Sequence, residues 1–225
     1  MIRQLLLDID DTLLDFSQAE AWALRQAFTA CGLALPDDVF AQYRQINRRQ
    51  WQRLDAGEIT RDDVLYGRFH LLLAALGWQA DPVAVETRYR GYLAQAHFPV
   101  PGALKALAAL HPAYPLYIAS NGLAQTQYDR LDAAGMTPYF QGIFLSEAAG
   151  APKPEPAFFD YCFAHMPGAR REETLLIGDN LRTDIRGGQQ AGLHTCWFNA
   201  RRRPEDPAIQ PDWTVYSWSE VLEML

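Results

Sequence analysis

The chain has 225 residues, of which 49% are apolar and 21% are charged. This composition predicts a soluble globular protein and excludes a disordered chain. The 27 acidic residues outnumber the 20 basic ones and give a net charge of −7. That balance argues against a nucleic acid polymer as the partner, but not against a small phosphorylated substrate.

Neither a membrane nor an oxidising compartment is indicated. The apolar run at residues 71–76 is much shorter than the ~20 residues of a membrane span. Asp8 ends the first apolar stretch, which is therefore too short for the apolar region of a signal peptide. The cysteines Cys31, Cys162 and Cys196 are too far apart for C-x-x-C metal spacing. We therefore expect a cytoplasmic protein without membrane contact. For the oligomeric state we expect a monomer or a weak homodimer.

The first predicted strand, over residues 3–8, is followed by a long helical stretch. Ser17-x-x-Glu20 matches a capping box and predicts a helix over residues 19–30. Thr60-x-x-Asp63 predicts a second such start, for a helix that ends before Gly77. Further helices are predicted over residues 37–54 and 82–96. The stretch is expected to form an inserted all-α cap domain, residues 15–98, between core segments 1–14 and 99–225.

Beyond residue 99 the pattern alternates between helix and strand. Strands are predicted over residues 116–119, 143–145, 174–177, 195–198 and 213–216. Helices are predicted over residues 103–110, 124–134, 156–165 and 181–191, with a last one at the C-terminus. Repeated βα units predict an α/β fold with a Rossmann-like parallel sheet and helices on both faces. Ligands of such sheets bind beyond the carboxyl ends of the strands.

Acidic side chains follow two of these strands. Asp8 and Asp10 lie two residues apart after the first strand, and Asp179 follows a later one. Carboxylates that meet in one place repel each other, and Mg²⁺ prefers carboxylate oxygens. A Mg²⁺ site is thus predicted at this edge of the sheet. The alternative is that Asp8 and Asp10 only cap a loop or a helix start.

Four features occur in a fixed order along the chain. They are Asp8-x-Asp10-x-Thr12, Ser120-Asn121-Gly122, Lys153-Pro154 and Gly178-Asp179-x-x-x-x-Asp184. Together they resemble the four motifs of the haloacid dehalogenase superfamily of phosphatases, and the resemblance covers the whole chain, including a helical insert after the first motif. Within the superfamily, the sequence most resembles the YjjG-type pyrimidine 5'-nucleotidase branch. The closer resemblance rests on Asn47-x-x-x-Trp51, Gly57, Arg68-Phe69, the run at residues 195–200 and Pro211-x-Trp213-Thr214-Val215.

The resemblance implies a role for each acid. Asp8 would attack phosphorus and form an aspartyl phosphate. Asp10 would protonate the leaving oxygen and then take a proton from water. Mg²⁺ would be held by Asp8, the backbone carbonyl of Asp10 and Asp179, while Asp184 would orient the metal shell from outside.

The remaining motif residues are implied to hold the phosphate. Lys153 would supply a second positive charge beside the phosphoryl group. The hydroxyl of Ser120 and the amide of Asn121 would donate hydrogen bonds to phosphoryl oxygens. Thr12 would fix the loop that places Asp10.

The helical stretch contains three candidate substrate residues. Asn47 and Trp51 are four apart on one predicted helix, so they should face together and could contact a nucleobase. The alternative is that Trp51 belongs to the core of the cap. Arg68 could meet the substrate or a neighbouring acid. Arg201-Arg202-Arg203 is interpreted as a solvated basic run, and Asp11 and Asp15 as loop acids.

The expected activity is Mg²⁺-dependent removal of phosphate from nucleoside 5'-monophosphates, mainly pyrimidine ones and including noncanonical ones. The alternative is a phosphatase for a sugar phosphate or another small metabolite. A dehalogenase is disfavoured because Asp10 is present. A phosphorylation-receiver domain would be about half as long and would lack the helical insert. A binding protein derived from a phosphatase would be expected to lose Asp8 or Asp10.

Overall fold

The computed structural model describes residues 1–225, except for the side chain of Asp55. The chain divides into two compact units. The larger combines Met1–Ser17 with His97–Leu225, and the smaller is Gln18–Ala96. No helix within the described residues is long and apolar enough to cross a membrane.

The chain is built from α-helices and β-strands joined by turns and loops. Short 3₁₀ turns lie at Thr137–Tyr139 and Arg171–Glu173, and a π-helical segment lies at Leu181–Arg186. The elements are β1 (Gln4–Leu7), α1 (Phe16–Ala30), α2 (Asp37–Asp55), α3 (Arg61–Leu76), α4 (Pro82–Gln95), α5 (Ala103–Leu110), β2 (Leu116–Ser120), α6 (Ala124–Ala133), β3 (Gly142–Leu145), α7 (Ser146–Ala149), α8 (Pro156–Ala164), β4 (Thr174–Gly178), α9 (Gly187–Gln190), β5 (His194–Phe198), β6 (Trp213–Val215) and α10 (Trp218–Met224).

A six-stranded sheet organises the larger unit, in the order β3-β2-β1-β4-β5-β6. Every neighbouring pair is parallel, which confirms the Rossmann-like core. The N-terminal strand β1 lies in the middle, where Leu5 pairs with Leu116 of β2 on one side and Leu175 of β4 on the other. The strand order reverses at β1, and such a reversal opens a crevice at the carboxyl ends of the strands.

The two faces of the sheet bury separate apolar clusters. Leu5 and Leu7 point into one cluster together with Trp218 of α10. Leu6 points into the other, with Phe158 and Phe159 of α8. This alternation follows the two-residue period of a strand. Because both faces are covered, β1, β2 and β4 are buried along their whole length and carry nearly continuous apolar runs.

The smaller unit is helical, as predicted. Its aromatic core includes Tyr43, whose ring stacks on Phe69 with centroids 5.3 Å apart, and Tyr89, which meets Phe69 edge-on at 5.6 Å. The capping box predicted at Thr60 is confirmed, since both of its reciprocal hydrogen bonds with Asp63 are present. Hydrophobic packing rather than helix propensity stabilises such helices.

The capping box predicted at Ser17-x-x-Glu20 is wrong. Helix α1 begins at Phe16, and the Phe16 N–H donates to Oδ1 of Asp11 at 3.0 Å. An acid five residues back in the loop therefore satisfies the first free donor of the helix. Glu20 is buried in the smaller unit instead, where it contacts Asn47.

Candidate active site

The central position of β1 brings polar residues from three strands to one edge. Asp8 continues β1, and its N–H donates to the carbonyl of Ile177 in β4 at 2.9 Å. Ser120 ends β2 and Asp179 follows β4. Because the carboxyl ends of neighbouring parallel strands share an edge, the side chains of these three residues converge there.

Lys153 supplies a buried positive charge at this edge. Its Nζ donates to Oδ1 of Asp8 at 2.8 Å, to Oδ1 of Asp184 at 2.6 Å and to the carbonyl of Ala119 at 2.6 Å. The three donors of the ammonium group are thereby used. Burial lowers the pKa of Lys153, but the carboxylates of Asp184 and Asp8 more than offset it, so the pKa lies above its usual value.

The side chain of Asn121 holds the backbone of Lys153. Its Nδ2 donates to the Lys153 carbonyl at 2.8 Å, and its Oδ1 accepts from the Lys153 N–H at 2.8 Å. Such a reciprocal pair fixes the loop from which the lysine side chain reaches inward. In this structure Asn121 positions Lys153, and its predicted contact with a phosphate stays a prediction.

Three carboxylates lie close enough to share a cation. Asp8, Asp179 and Asp184 each offer an oxygen within 4.8 Å of the others. Burial, and next the Asp184 carboxylate, raises the pKa of Asp179 to about 7, while Arg203 opposes the shift. Burial also raises the pKa of Asp8, against the effect of Lys153. A dense group of carboxylate oxygen donors fits a hard divalent cation such as Mg²⁺.

A distorted turn brings Asp184 into this group. The carbonyl of Asn180 accepts the N–H of Asp184 at 3.0 Å and that of Ile185 at 3.2 Å, so the predicted helix over residues 181–191 begins as a π-helical segment. Oδ2 of Asp184 accepts the N–H of Asn180 at 3.0 Å. A Cβ on Gly178 would lie 2.4 Å from Cγ of Asp184, so the carboxylate can approach only because residue 178 is glycine.

The side chain of Asp10 is held by two residues outside the four sequence motifs. Its Oδ1 accepts from Nη1 of Arg130 at 2.5 Å, and its Oδ2 accepts from Nε2 of Gln127 at 2.7 Å. Gln127 also donates to Oγ of Ser120 at 3.0 Å. The available signal was the three-residue spacing of Gln127 and Arg130 on the helix that follows Ser120-Asn121-Gly122, which places them on one face. Metal contact through the Asp10 carbonyl stays a prediction.

The basic run is exposed to solvent, as predicted, but two of its three members also form ion pairs. Arg203 donates to Oδ2 of Asp179 at 2.7 Å and to Oδ2 of Asp11 at 3.2 Å. Arg201 donates to Oδ1 of Asp11 at 2.8 Å and to Oδ1 of Asp15 at 2.9 Å. Asp11 and Asp15 lie in a loop, as predicted, and are partners of these arginines beside the candidate metal site.

In the smaller unit, Asn47 is the centre of a polar cluster. Its Oδ1 accepts from Nε1 of Trp51 at 3.1 Å and from Nη1 of Arg68 at 3.3 Å. The prediction that Asn47 and Trp51 face together is confirmed. Arg68 is buried and makes a bidentate pair with Glu86, with its shortest contacts at 2.9 Å. Of its two predicted roles the structure shows the second, contact with a neighbouring acid. Trp51 is half-buried.

Comparison with known proteins agrees with this geometry. A family model described as haloacid dehalogenase-like hydrolase matches residues 2–192. The HAD-hydrolase YfnB of Bacillus subtilis is 42% identical, over 99% of this chain and 95% of its own. A crystal structure of YfnB bound to magnesium has a TM-score of 0.96 and covers 100% of this chain and 98% of that one.

Two further relatives carry names that state an activity. The pyrimidine 5'-nucleotidase PynA of Streptococcus pneumoniae is 36% identical over 98% of this chain and 94% of its own. The pyrimidine 5'-nucleotidase YjjG of Escherichia coli is 31% identical over 97% and 95%, respectively. The four ordered motifs were therefore interpreted correctly, and the chain belongs to the haloacid dehalogenase-like hydrolase family.

Proposed function

We propose that this hydrolase removes phosphate from nucleoside 5'-monophosphates, mainly pyrimidine ones, through a phosphorylated Asp8. The observation that carries the proposal is the position of Asp8, which contacts Lys153 at 2.8 Å and belongs to the three-carboxylate group. The substrate class is supported by the two nearly full-length relatives named pyrimidine 5'-nucleotidases.

Asp8 is the nucleophile. Lys153 holds its Oδ1, and the hydroxyl of Thr12 donates to its Oδ2 at 3.3 Å. Lys153 opposes the rise that burial causes in the pKa of Asp8, and in its ionised form Asp8 attacks phosphorus and displaces the ribose oxygen. A covalent intermediate divides the hydrolysis into two easier displacements.

Positive charge must offset the approach of one anion to another. Asp8, Asp179 and Asp184 would hold Mg²⁺, which supplies charge that stabilises the phosphoryl oxygens. Lys153 places a fixed cation on the same carboxylates. Ser120, whose Oγ already accepts from Gly122 and Gln127, can donate its hydroxyl hydrogen to the phosphate.

Asp10 moves the protons. In the first step it donates a proton to the leaving ribose oxygen, which departs as an alcohol. In the second step its carboxylate takes a proton from the water that attacks the aspartyl phosphate, so Asp8 and inorganic phosphate are released. Arg130 and Gln127 orient the carboxyl group for both transfers.

Selectivity must come from groups that contact the substrate away from its phosphate. The strand-end residues would contact the phosphoryl group, which every candidate substrate shares. We assign recognition of the base to the smaller unit, Gln18–Ala96, acting as a cap domain. Trp51, fixed through its indole N–H by Asn47, is the residue proposed to stack on the base.

A panel of phosphate monoesters tests the proposal. Nucleoside 5'-monophosphates, sugar phosphates and acetyl phosphate are assayed with Mg²⁺ and with a chelator, and kcat/KM is compared. Pyrimidine nucleotides should rank first, and the chelator should abolish turnover. Asp8→Asn should lose turnover by roughly 10⁴-fold or more because an amide cannot act as the nucleophile. Asp132→Asn, at an exposed position on α6, serves as the control.

The same panel separates the alternatives. If a sugar phosphate has the highest kcat/KM, the substrate class is sugar phosphates rather than nucleotides, and the mechanism still holds. Turnover that survives in Asp8→Asn protein would refute the mechanism.

A further inference from the structure

A second asparagine holds the backbone of a cationic residue, at the end of another strand. Asn199 directly follows β5 and is buried. Its Oδ1 accepts from the N–H of Arg203 at 2.7 Å, and its Nδ2 donates to the Arg203 carbonyl at 3.0 Å. The same reciprocal pair joins Asn121 to Lys153. The backbone of Arg203 is thus fixed in the same way as that of the buried lysine.

The side chain of Arg203 joins two acidic segments. Its Nη1 donates to Asp179 at 2.7 Å and its Nη2 to Asp11 at 3.2 Å. Asp11 has a φ of 59°, an uncommon value for a residue with a Cβ. Its other oxygen is engaged by the N–H of Phe16 and by Arg201. Arg203 therefore connects Asp179 to a loop that is itself restrained.

We infer that Arg203 is a positioning residue for the cation site. By fixing the carboxylate of Asp179 through one oxygen, it restrains the orientation in which Asp179 can share a cation with Asp8 and Asp184. Hydrogen bonds to a ligating carboxylate from outside the ligand set typically govern the affinity for the metal. The inference rests on the proposed Mg²⁺ site and adds to it a residue from the β5 end of the sheet.

Two other roles for Arg203 make different predictions. If Arg203 only forms an ordinary surface ion pair, its substitution should change neither stability nor Mg²⁺ binding appreciably, since its side chain is 42% exposed. If Arg203 instead competes with the cation for Asp179, it must release Asp179 before the cation binds. Its substitution would then tighten Mg²⁺ binding. Coulomb's law alone also predicts tighter binding when a positive charge near a cation site is removed. Weaker binding on removal is therefore specific to positioning.

The test measures the Mg²⁺ dissociation constant of the full chain by calorimetry. Arg203→Gln should raise this constant roughly 10–100-fold, with kcat at saturating Mg²⁺ within about threefold of the wild type, because positioning affects binding of the metal rather than chemistry once it is bound. Arg203→Lys should fall in between, since an ammonium group keeps the charge but lacks the fork that reaches both acids. Arg202→Gln is the matched control, because Arg202 lies over the ring of Tyr216.

The outcomes distinguish this inference from the proposed function. An unchanged or tighter dissociation constant in Arg203→Gln, with normal binding by the wild type, would overturn the role of Arg203 alone. An equal effect in Arg202→Gln would also overturn it, since it would reflect only net charge. A wild-type chain that binds no Mg²⁺ would overturn the metal site and this inference together.

Discussion

The guanidinium of Arg130 lies 2.5 Å from Oδ1 of Asp10, and the two side chains differ sharply in exposure. That of Arg130 is 1% exposed, whereas that of Asp10 is 31% exposed. A fixed, buried cation on α6 therefore holds an acid that solvent or substrate can still reach. Gln127, also buried, holds the second oxygen of the same carboxylate.

Arg130→Met should impair proton transfer more than binding. Losing the orientation of Asp10 should lower kcat on nucleotides by roughly 10²-fold. An aryl phosphate with a good leaving group does not need the acid in the first step, so its rate of aryl release should fall much less. The check is a burst measurement with both substrates. Arg186→Met, at an exposed position, is the control, and equal losses on both substrates would contradict the assignment.

Lys153→Met should separate stability from activity. Without the shared ammonium group, Asp8 and Asp184 become two buried, unpaired carboxylates, which should destabilise the metal-free protein by about 3–5 kcal/mol. Added Mg²⁺ should restore much of the melting temperature because it offsets the same charges. It should not restore kcat/KM, since the lysine is proposed to supply a second positive charge beside the phosphoryl group. Full rescue of activity by metal would show that Lys153 serves only the metal site.

Mg²⁺ binding should depend on pH around neutrality. Burial, and then Asp184, raises the pKa of Asp179 from 3.8 to about 7 in the folded protein. Below pH 7 the metal must displace a proton, so the dissociation constant should fall as the pH rises and should level off above about pH 8. A carboxyl with an ordinary pKa would give a level curve already above about pH 5. Calorimetry between pH 5 and pH 9 distinguishes the two.

The raised pKa of Asp179 also determines how the free energy of unfolding changes with pH. Between about pH 4 and pH 7 the metal-free folded protein retains a proton on Asp179 that the unfolded chain has lost. Because the folded state then binds more protons, the free energy of unfolding should decrease as the pH rises through this window. Urea unfolding in the presence of a chelator measures it. Asp179→Asn should remove this contribution, and an unchanged slope in that variant would contradict the pKa shift.

Trp51→Ala tests where the base is recognised. If Trp51 stacks on the base, nucleotides should lose roughly 1–3 kcal/mol of binding, a tenfold to hundredfold loss, while acetyl phosphate should change little. If Trp51 instead stabilises the core of the smaller unit, the cavity should cost about 3–5 kcal/mol and depress every substrate alike. The measurements are kcat/KM for both substrates and the melting temperature. Trp78→Ala, which removes another half-buried indole of the same unit, is the control.

Short-range patterns predicted the fold and most motif positions well. Short apolar runs identified the strands, and the Thr60 capping box was correct because both of its partners lie within one turn. The box at Ser17 failed because a loop acid, Asp11, satisfies the start of α1. Local patterns carry no information about a competing partner outside the helix.

Long-range partners explain the residues that were missed. Asp10 pairs with Arg130 across 120 positions, and Arg203 pairs with Asp179 across 24. An arginine in an exposed loop and one in a buried network look alike in a single sequence. Only the strand order, which places β1 beside β2 and β4 beside β5, brings these groups together.

The central position of β1 also constrains synthesis of the protein. Gln4 of β1 pairs with Thr174 of β4, so about 170 residues must be synthesised after β1 before this neighbouring strand is available. At ~5–20 residues per second this interval lasts on the order of ten seconds or more. During this interval the edge of β1 that pairs with β4 has no partner strand, and chaperone binding to this segment would protect the nascent chain from aggregation.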